Sequence, residues 1–167
     1  MARTYRLERS QFIAKPREEV FGFFADASNL ERITPRFLNF RILTPRPIPM
    51  RPGALIDYEI RLYGIPIKWH TRIESFEPPL SFSDIQLSGP YRRWHHRHEF
   101  FEVAGGTEMR DRVDYELPLG LLGAAARELF VRRSLERIFD YRRDVIIEIF
   151  GAAKPVDSIR LSSAAID

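Results

Sequence analysis

Apolar and polar residues alternate along much of the first 117 residues, which predicts a succession of β-strands. The clearest alternation spans residues 54–63, where charged positions separate the apolar residues Ile56, Tyr58, Ile60 and Leu62. Such a run is typical of a strand buried on one face. Comparable patterns predict strands over residues 4–14, 36–44, 67–76, 80–87, 91–103 and 107–117. Short connections that contain proline or glycine favour an antiparallel meander.

Three helices are predicted beside these strands. Pro16 and Glu18 suit the first turn of a short helix, because proline is tolerated there and an acid complements the helix dipole. Ser28, with Glu31 three residues later, matches a capping box for a second short helix. Apolar residues then recur every three or four positions between residues 121 and 150, at Leu121, Ala124, Val131, Leu135, Ile138, Val145 and Ile149. This broad apolar face predicts a long helix held by a concave sheet.

The order of these elements indicates an α+β fold, with a curved antiparallel sheet of about seven strands around the long C-terminal helix. We expect residues 1–151 to form a single ligand-binding domain, since 167 residues lie within the usual size of one domain. Periodicity is lost from about residue 152, so residues 152–167 are predicted to form a loose tail.

The amino-acid composition excludes several kinds of site and classes of protein. The chain has no cysteine, which excludes disulfides, thiolate nucleophiles and cysteine-based zinc sites. Apolar runs are far shorter than the ~20 residues of a membrane span, so we expect no integral membrane association. The N-terminal segment lacks the apolar core of a signal peptide, which favours a cytoplasmic location.

The charge pattern argues against nucleic-acid binding. The formal net charge is +3, and basic and acidic residues are interleaved, as in the run Arg110, Asp111, Arg112. Nucleic-acid binders usually concentrate positive charge on one face. The basic and aromatic segment 91–98 is the local exception, but alternation directs Trp94 inward and Arg93 towards solvent. We therefore expect no nucleic-acid partner.

Three short segments carry a family resemblance. Segment 76–82 places two prolines between two phenylalanines, segment 89–91 reads Gly-Pro-Tyr, and segment 94–100 alternates aromatic, histidine and charged residues. With the order of predicted elements, these segments resemble the SRPBCC superfamily, which has the START and birch-pollen-allergen helix-grip fold. The chain is similar to its bacterial cyclase/dehydrase-like members over residues 4–150. The superfamily includes lipid carriers, hormone receptors and polyketide cyclases, so the resemblance implies a cavity for a hydrophobic molecule.

Alternation assigns candidate residues to the inner face of the sheet. Trp94, His96 and His98 share one face of their strand, as Phe82, Asp84 and Gln86 share one face of theirs. If neighbouring strands pair, Asp84, Gln86, His96, His98 and Asp111 converge. The predicted ligand-binding residues are Tyr58, Ile60, Trp69, Thr71, Phe82, Gln86, Trp94, His96, His98, Met109, Asp111, Tyr115 and Leu122.

Four interpretations of the polar cluster remain open. It is a hydrogen-bonded core network, a set of groups that orient a ligand, an acid–base centre or a metal site. For catalysis the candidates are His96, His98, Asp111 and Asp84. The sequence contains no nucleophile elbow, phosphate loop or HExxH pattern.

The sequence favours a carrier or sensor that binds a hydrophobic or aromatic small molecule, either lipid-like or polyketide-like. One alternative is a polyketide cyclase, aromatase or dehydratase that uses His/Asp acid–base chemistry. Another is a protein-interaction module without a ligand. We expect no cofactor and no metal, and a monomer or homodimer.

Overall fold

Seven strands form one antiparallel sheet in the computed structural model of the protein, which describes residues 3–62, 64–118 and 124–151. The strands are β1 (Thr4–Ile13), β2 (Arg41–Ile42), β3 (Leu55–Leu62), β4 (Ile65–Glu77), β5 (Ser81–Ser88), β6 (Arg93–Val103) and β7 (Gly106–Glu116). Their order across the sheet is β1-β7-β6-β5-β4-β3-β2, so β2 to β7 form a meander and β1 pairs with β7. The predicted meander is confirmed.

Helix α1 (Arg17–Phe24) follows β1 directly, as predicted. Pro16 precedes it with extended backbone, and two glutamates occupy its first turn, where they complement the positive end of the helix dipole. Val20, Phe21 and Phe24 are buried against the sheet. The helix therefore closes one end of the curved sheet with aromatic side chains.

The predicted cap of the second short helix was wrong. That helix is a 3₁₀ turn at Ala27–Glu31, and its cap is Asp26, whose carboxylate accepts a 2.9 Å hydrogen bond from the Ser28 backbone N–H. Glu31 does not complete a capping box, because its carboxylate accepts from the Ile42 backbone N–H at 3.1 Å. The two acidic residues therefore tie this turn to itself and to β2.

The strand predicted over residues 36–44 was also wrong for most of its length. A second 3₁₀ turn occupies Arg36–Leu38, and Asn39 ends it in the left-handed conformation with φ 42°. A left-handed residue breaks an extended chain, so only the short β2 remains of the predicted strand.

The described part of the long helix, α2, spans Ala124–Phe150. Its predicted start at Leu121 lies outside the described residues, as do Leu122 and the predicted tail at 152–167. Leu135, Phe139 and Ile146 are buried, so a spacing of four and seven residues places one stripe against the sheet. The α+β helix-grip architecture is confirmed. Within the described ranges, no helix combines the length and apolar character needed to cross a bilayer.

Two of the three hydrophobic clusters that the described residues form include residues of the long helix. One gathers around α1 and includes Phe21, Phe100 and Ile146. The other includes Trp69, Trp94, Leu135 and Phe139. Because α2 supplies residues to both clusters, it packs against both of them.

Candidate ligand-binding site

The side chains of β6 follow the predicted alternation. Trp94 is 8% exposed, and His96 and His98 are each 6% exposed. Arg93 is exposed, and Arg97 is half-buried on the opposite face of the strand. The two histidines therefore point from the centre of the sheet towards α2.

The pairing of three strands brings the predicted polar residues together. Asp84 on β5 is the register partner of His96, and Phe82 is the partner of His98. On the other side of β6, His98 pairs with Asp111 of β7. Because paired residues share a face of the sheet, both carboxylates lie beside the histidines.

Asp111 lies at the centre of this cluster. Its Oδ1 atom is 3.1 Å from His96 Nε2. The Nδ1 atom of His98 is 2.6 Å from the same oxygen, but it approaches out of line for a good hydrogen bond and has no other partner among the described residues. On the far side of His96, Nδ1 lies 3.8 Å from Asp84 Oδ2. The imidazoles are 3.9 Å apart between ring centroids, and His98 stacks on Phe82 at 4.3 Å.

The pKa values of Asp84 and Asp111 are shifted in opposite directions. Burial raises the pKa of Asp84 to about 6, and nearby cationic groups only partly oppose this effect. Burial also disfavours ionised Asp111, but the charge of His98 and the hydrogen bond from His96 outweigh it, so the pKa of Asp111 falls below its usual range. Burial, assisted by His98, lowers the pKa of His96. Neutral His96 therefore donates through Nε2 to ionised Asp111, which leaves Nδ1 unprotonated.

A cavity of about 1010 Å³ lies between the sheet, α2 and the two 3₁₀ turns. Its wall is largely apolar and includes a cluster of aromatic rings: Trp69 lies 5.5 Å from Tyr58 and 5.2 Å from Trp94 between ring centroids. Most of the predicted site residues line it, namely Tyr58, Ile60, Trp69, Thr71, Phe82, Asp84, Trp94, His96 and His98. The cavity thus has an apolar interior with a polar cluster on its sheet side.

The model of the family described as "Polyketide cyclase / dehydrase and lipid transport" matches residues 13–140. The chain belongs to this family. The resemblance to the SRPBCC superfamily is thereby confirmed, since the match spans the segments that carry it. The description of the family names both enzymes and carriers of lipids.

Solved structures of low sequence identity share the fold. The Zhui aromatase/cyclase from Streptomyces sp. R1128 is 16% identical with a TM-score of 0.70, and the match covers 88% of this chain and 93% of that one. The protein TTHA0849 from Thermus thermophilus is 15% identical with a TM-score of 0.67, over 87% and 99% of the two chains. A START superfamily protein from Mycobacterium smegmatis is 13% identical with a TM-score of 0.64, over 86% and 98%. At these identities the likeness shows the fold alone. No curated protein matches the sequence.

Two predicted site residues of β7 belong to the packed core rather than to the cavity wall. Met109 lies in the cluster around α1. Tyr115 lies in the cluster of the two tryptophans, where its ring stacks on Tyr5 at 5.5 Å. Both face the interior, as alternation predicts, but β7 lies next to the edge strand β1, and neither residue lines the cavity.

Gln86 and Asp111 are also absent from the cavity wall. Gln86 holds the loop before β6: its Nε2 donates to the Tyr91 carbonyl at 2.7 Å, and its Oε1 accepts from the Tyr91 N–H at 3.3 Å. Asp111 lies behind the histidines and contacts the cavity-lining residues His96 and His98. Gln86 therefore does not join the polar cluster, whereas Asp111 positions it. Leu122 lies outside the described residues.

Sequence reasoning missed Arg142, which lines the cavity from α2. Its guanidinium lies 4.9 Å from the centroid of the Phe139 ring. The position follows Phe139 by three residues and precedes Ile146 by four, so it falls within the apolar stripe of the helix. A charged residue inside that stripe was the signal that could have identified it.

The cluster also has the composition of a metal site. Asp84, His96 and His98 each offer one ligand atom, and these atoms lie within 4.8 Å of one another. Two imidazoles and a carboxylate suit zinc or iron, and the contact of His96 with Asp111 is of the kind that orients a ligating histidine. The charge of Arg142, close enough to be affected by Asp84, opposes a bound cation. That the protein binds no metal stays a prediction.

Proposed function

We propose that the protein binds a hydrophobic or aromatic small molecule in the cavity and acts as a carrier or sensor. The observation that carries this proposal is the cavity of about 1010 Å³ with aromatic walls and a polar cluster on its sheet side. Ligand sites typically have volumes of roughly 300–1,000 Å³, mostly apolar walls and a few placed polar groups. Burial of apolar ligand surface contributes about 25 cal/mol per Å², and the polar groups give the ligand its orientation.

A polyketide cyclase or dehydratase is the second candidate. The contact between His96 and Asp111 favours it, because an ionised carboxylate fixes the tautomer of the imidazole and leaves Nδ1 able to accept a proton. Binding without turnover is preferred because Asp111 is hidden behind the histidines and Nδ1 of His96 faces Asp84. Neither candidate requires a cofactor.

The first test is native mass spectrometry of the purified protein, followed by extraction of any co-purified compound. A parallel titration with 1-pyrenebutanol, a neutral aromatic probe, is expected to show saturable binding of one molecule per chain. Failure of the probe to bind, together with the absence of any extracted compound, would contradict the proposal and favour an interaction module.

The variants His96→Ala and His98→Ala distinguish the two candidate functions, and His95→Ala is the matched control. His95 lies on the outer face of the same strand, where its Nε2 is 2.9 Å from Glu74. If the protein is a carrier, the first two variants bind the extracted compound more weakly, and neither wild type nor any variant converts that compound. An enzyme instead converts an extracted compound, and the conversion falls at least ~100-fold in His96→Ala or His98→Ala with binding intact. A fall of this size is expected for the loss of a general acid or base.

A further inference from the structure

Arg142 is a half-buried cation at the wall of a largely apolar cavity. Its Nε atom is buried and has no hydrogen-bond partner among the described residues. The guanidinium makes no hydrogen bond and no ion pair within 4.0 Å with any other residue in the part of the chain that is described. Its nearest characterised contact is the face of Phe139, at 4.9 Å. A guanidinium carries five N–H donors, so this site offers unused hydrogen bonds.

The neighbouring acids do not neutralise Arg142 by contact. Burial disfavours its charged form and lowers its pKa, while the charges of Asp111 and Asp84 act in the opposite direction without reaching it. Asp111 is already engaged by His96 at 3.1 Å. Since an arginine remains charged in proteins, the positive charge of Arg142 lies partly uncompensated beside the cavity.

The contact with the Phe139 ring leaves the Nε–H of Arg142 without an acceptor among the described residues. A partly buried charge without a partner costs some free energy, and proteins normally pair such groups. Arg143, the next residue of α2, shows the ordinary situation: it is exposed, and its guanidinium lies 2.8 Å from Asp144. The contrast between the two arginines indicates that Arg142 has a partner other than the described residues.

We propose that the ligand is an amphipathic carboxylic acid, whose carboxylate pairs with Arg142 and whose apolar body lies against Tyr58, Trp69 and Ile138. This inference rests on the proposed function and adds the chemical class of the ligand. The planar fork of a guanidinium matches a carboxylate in a bidentate arrangement. Ionised Asp111 nearby disfavours a doubly charged phosphate, so a single negative charge suits the site better. The apolar body accounts for the aromatic walls.

The test compares 1-pyrenebutyrate with 1-pyrenebutanol by fluorescence titration at pH 7.5. The two probes share the same apolar body and differ in the charge of the head group. We expect wild type to bind the acid ~10- to 100-fold more tightly, the size typical of a hydrogen bond between charged groups. Arg142→Gln is expected to abolish this preference, so that the ratio of the two Kd values in the variant approaches one. Arg142→Lys retains part of the preference, and the exposed control Arg143→Gln retains all of it.

Each result has a distinct meaning. Equal binding of the two probes by wild type overturns the inference about Arg142 but leaves the proposed hydrophobic site intact. Binding of neither probe contradicts the proposed function itself. A preference for the acid that survives in a folded Arg142→Gln also overturns the inference. Should Arg142→Gln fail to fold by circular dichroism, the wild-type comparison and Arg142→Lys decide: an unchanged preference in the lysine variant excludes the bidentate pairing.

Discussion

Asp84 and Asp111 flank the same two histidines, yet their surroundings act on them in opposite directions. The folded chain favours protonated Asp84, whose pKa is raised to about 6 by burial. It favours ionised Asp111, whose pKa is lowered by the imidazoles despite burial. A pKa that differs between the folded and unfolded states is a contribution to stability. The two residues should therefore affect stability with opposite signs.

We predict that Asp84→Asn stabilises the protein at pH 7.5 and Asp111→Asn destabilises it. The folded-state pKa of Asp84 lies above its ordinary value, so stability from its protonated form is lost as pH rises from that ordinary value to about 6. Removal of the ionisable group then restores about 1–3 kcal/mol above pH 6. Asp111 contributes at every pH above its unfolded pKa, and its asparagine variant is expected to lose about 2–3 kcal/mol. Urea unfolding at pH 7.5 measures both changes.

The same measurement near pH 4 is the control for this pair. There Asp84 is protonated in the folded protein, so the difference between Asp84→Asn and wild type should shrink towards zero. The loss in Asp111→Asn should persist, since its folded-state pKa lies below this pH. A destabilising Asp84→Asn at pH 7.5 would show that Asp84 is ionised and stabilised in the fold.

Alternation along a strand predicted the residues of β6 but not all of the site. It states which face a side chain occupies, and for His96 and His98 that was sufficient. It does not state how far across the sheet a strand lies, so Met109 and Tyr115 were placed at the cavity although they belong to the core. Gln86 hydrogen-bonds the backbone of Tyr91 in the loop before β6, and the conformation of a loop cannot be predicted from strand alternation. Arg142 reaches the site from α2, whereas alternation predicts polar site residues on the strands alone.

At the scale of elements, the packing of α2 against the sheet is expected to contribute much of the stability of the fold. Ile146 is 1% exposed and packs in the cluster around α1, while the adjacent Ile147 is 39% exposed. We predict that Ile146→Ala lowers the free energy of unfolding by about 2–5 kcal/mol, because it removes buried methyl groups and leaves a cavity. Ile147→Ala, the matched control, should cost less than about 1 kcal/mol. Chemical denaturation of both variants tests the orientation of the helix, and similar losses in the two would mean that the stripe is misassigned.

The elements that sequence predicted well are those whose periodicity extends over many residues. Strands β3 to β7 and α2 repeat their pattern often enough for the face and the type of element to be read directly. Residues 26–44 fold instead through single local features, such as the Asp26 cap and the left-handed Asn39. A short segment of this kind has too few residues for periodicity to decide between a strand and a 3₁₀ turn.

For the molecule as a whole, the cavity is lined by residues of all three hydrophobic clusters of the described core. Cavities in proteins forgo contacts between side chains, so the free protein gives up stability that a ligand can restore. A ligand that binds only the folded state stabilises it by an amount set by its concentration relative to Kd. The proposed function therefore predicts a thermal signature that depends on residues at the cavity wall and not on exposed ones.

We predict that 1-pyrenebutanol at a hundredfold excess over Kd raises the Tm of wild type by about 5–10 °C. This follows from about 2.7 kcal/mol of linkage and about 2–4 °C per kcal/mol for a chain of this size. Ile138 lines the cavity, so Ile138→Asp places a charge against the bound probe and should remove most of the rise at the same probe concentration. Ile147→Asp lies on the exposed side of the same helix and should retain it. Differential scanning fluorimetry distinguishes the variants, and a rise of equal size in Ile138→Asp would place the bound molecule outside this cavity.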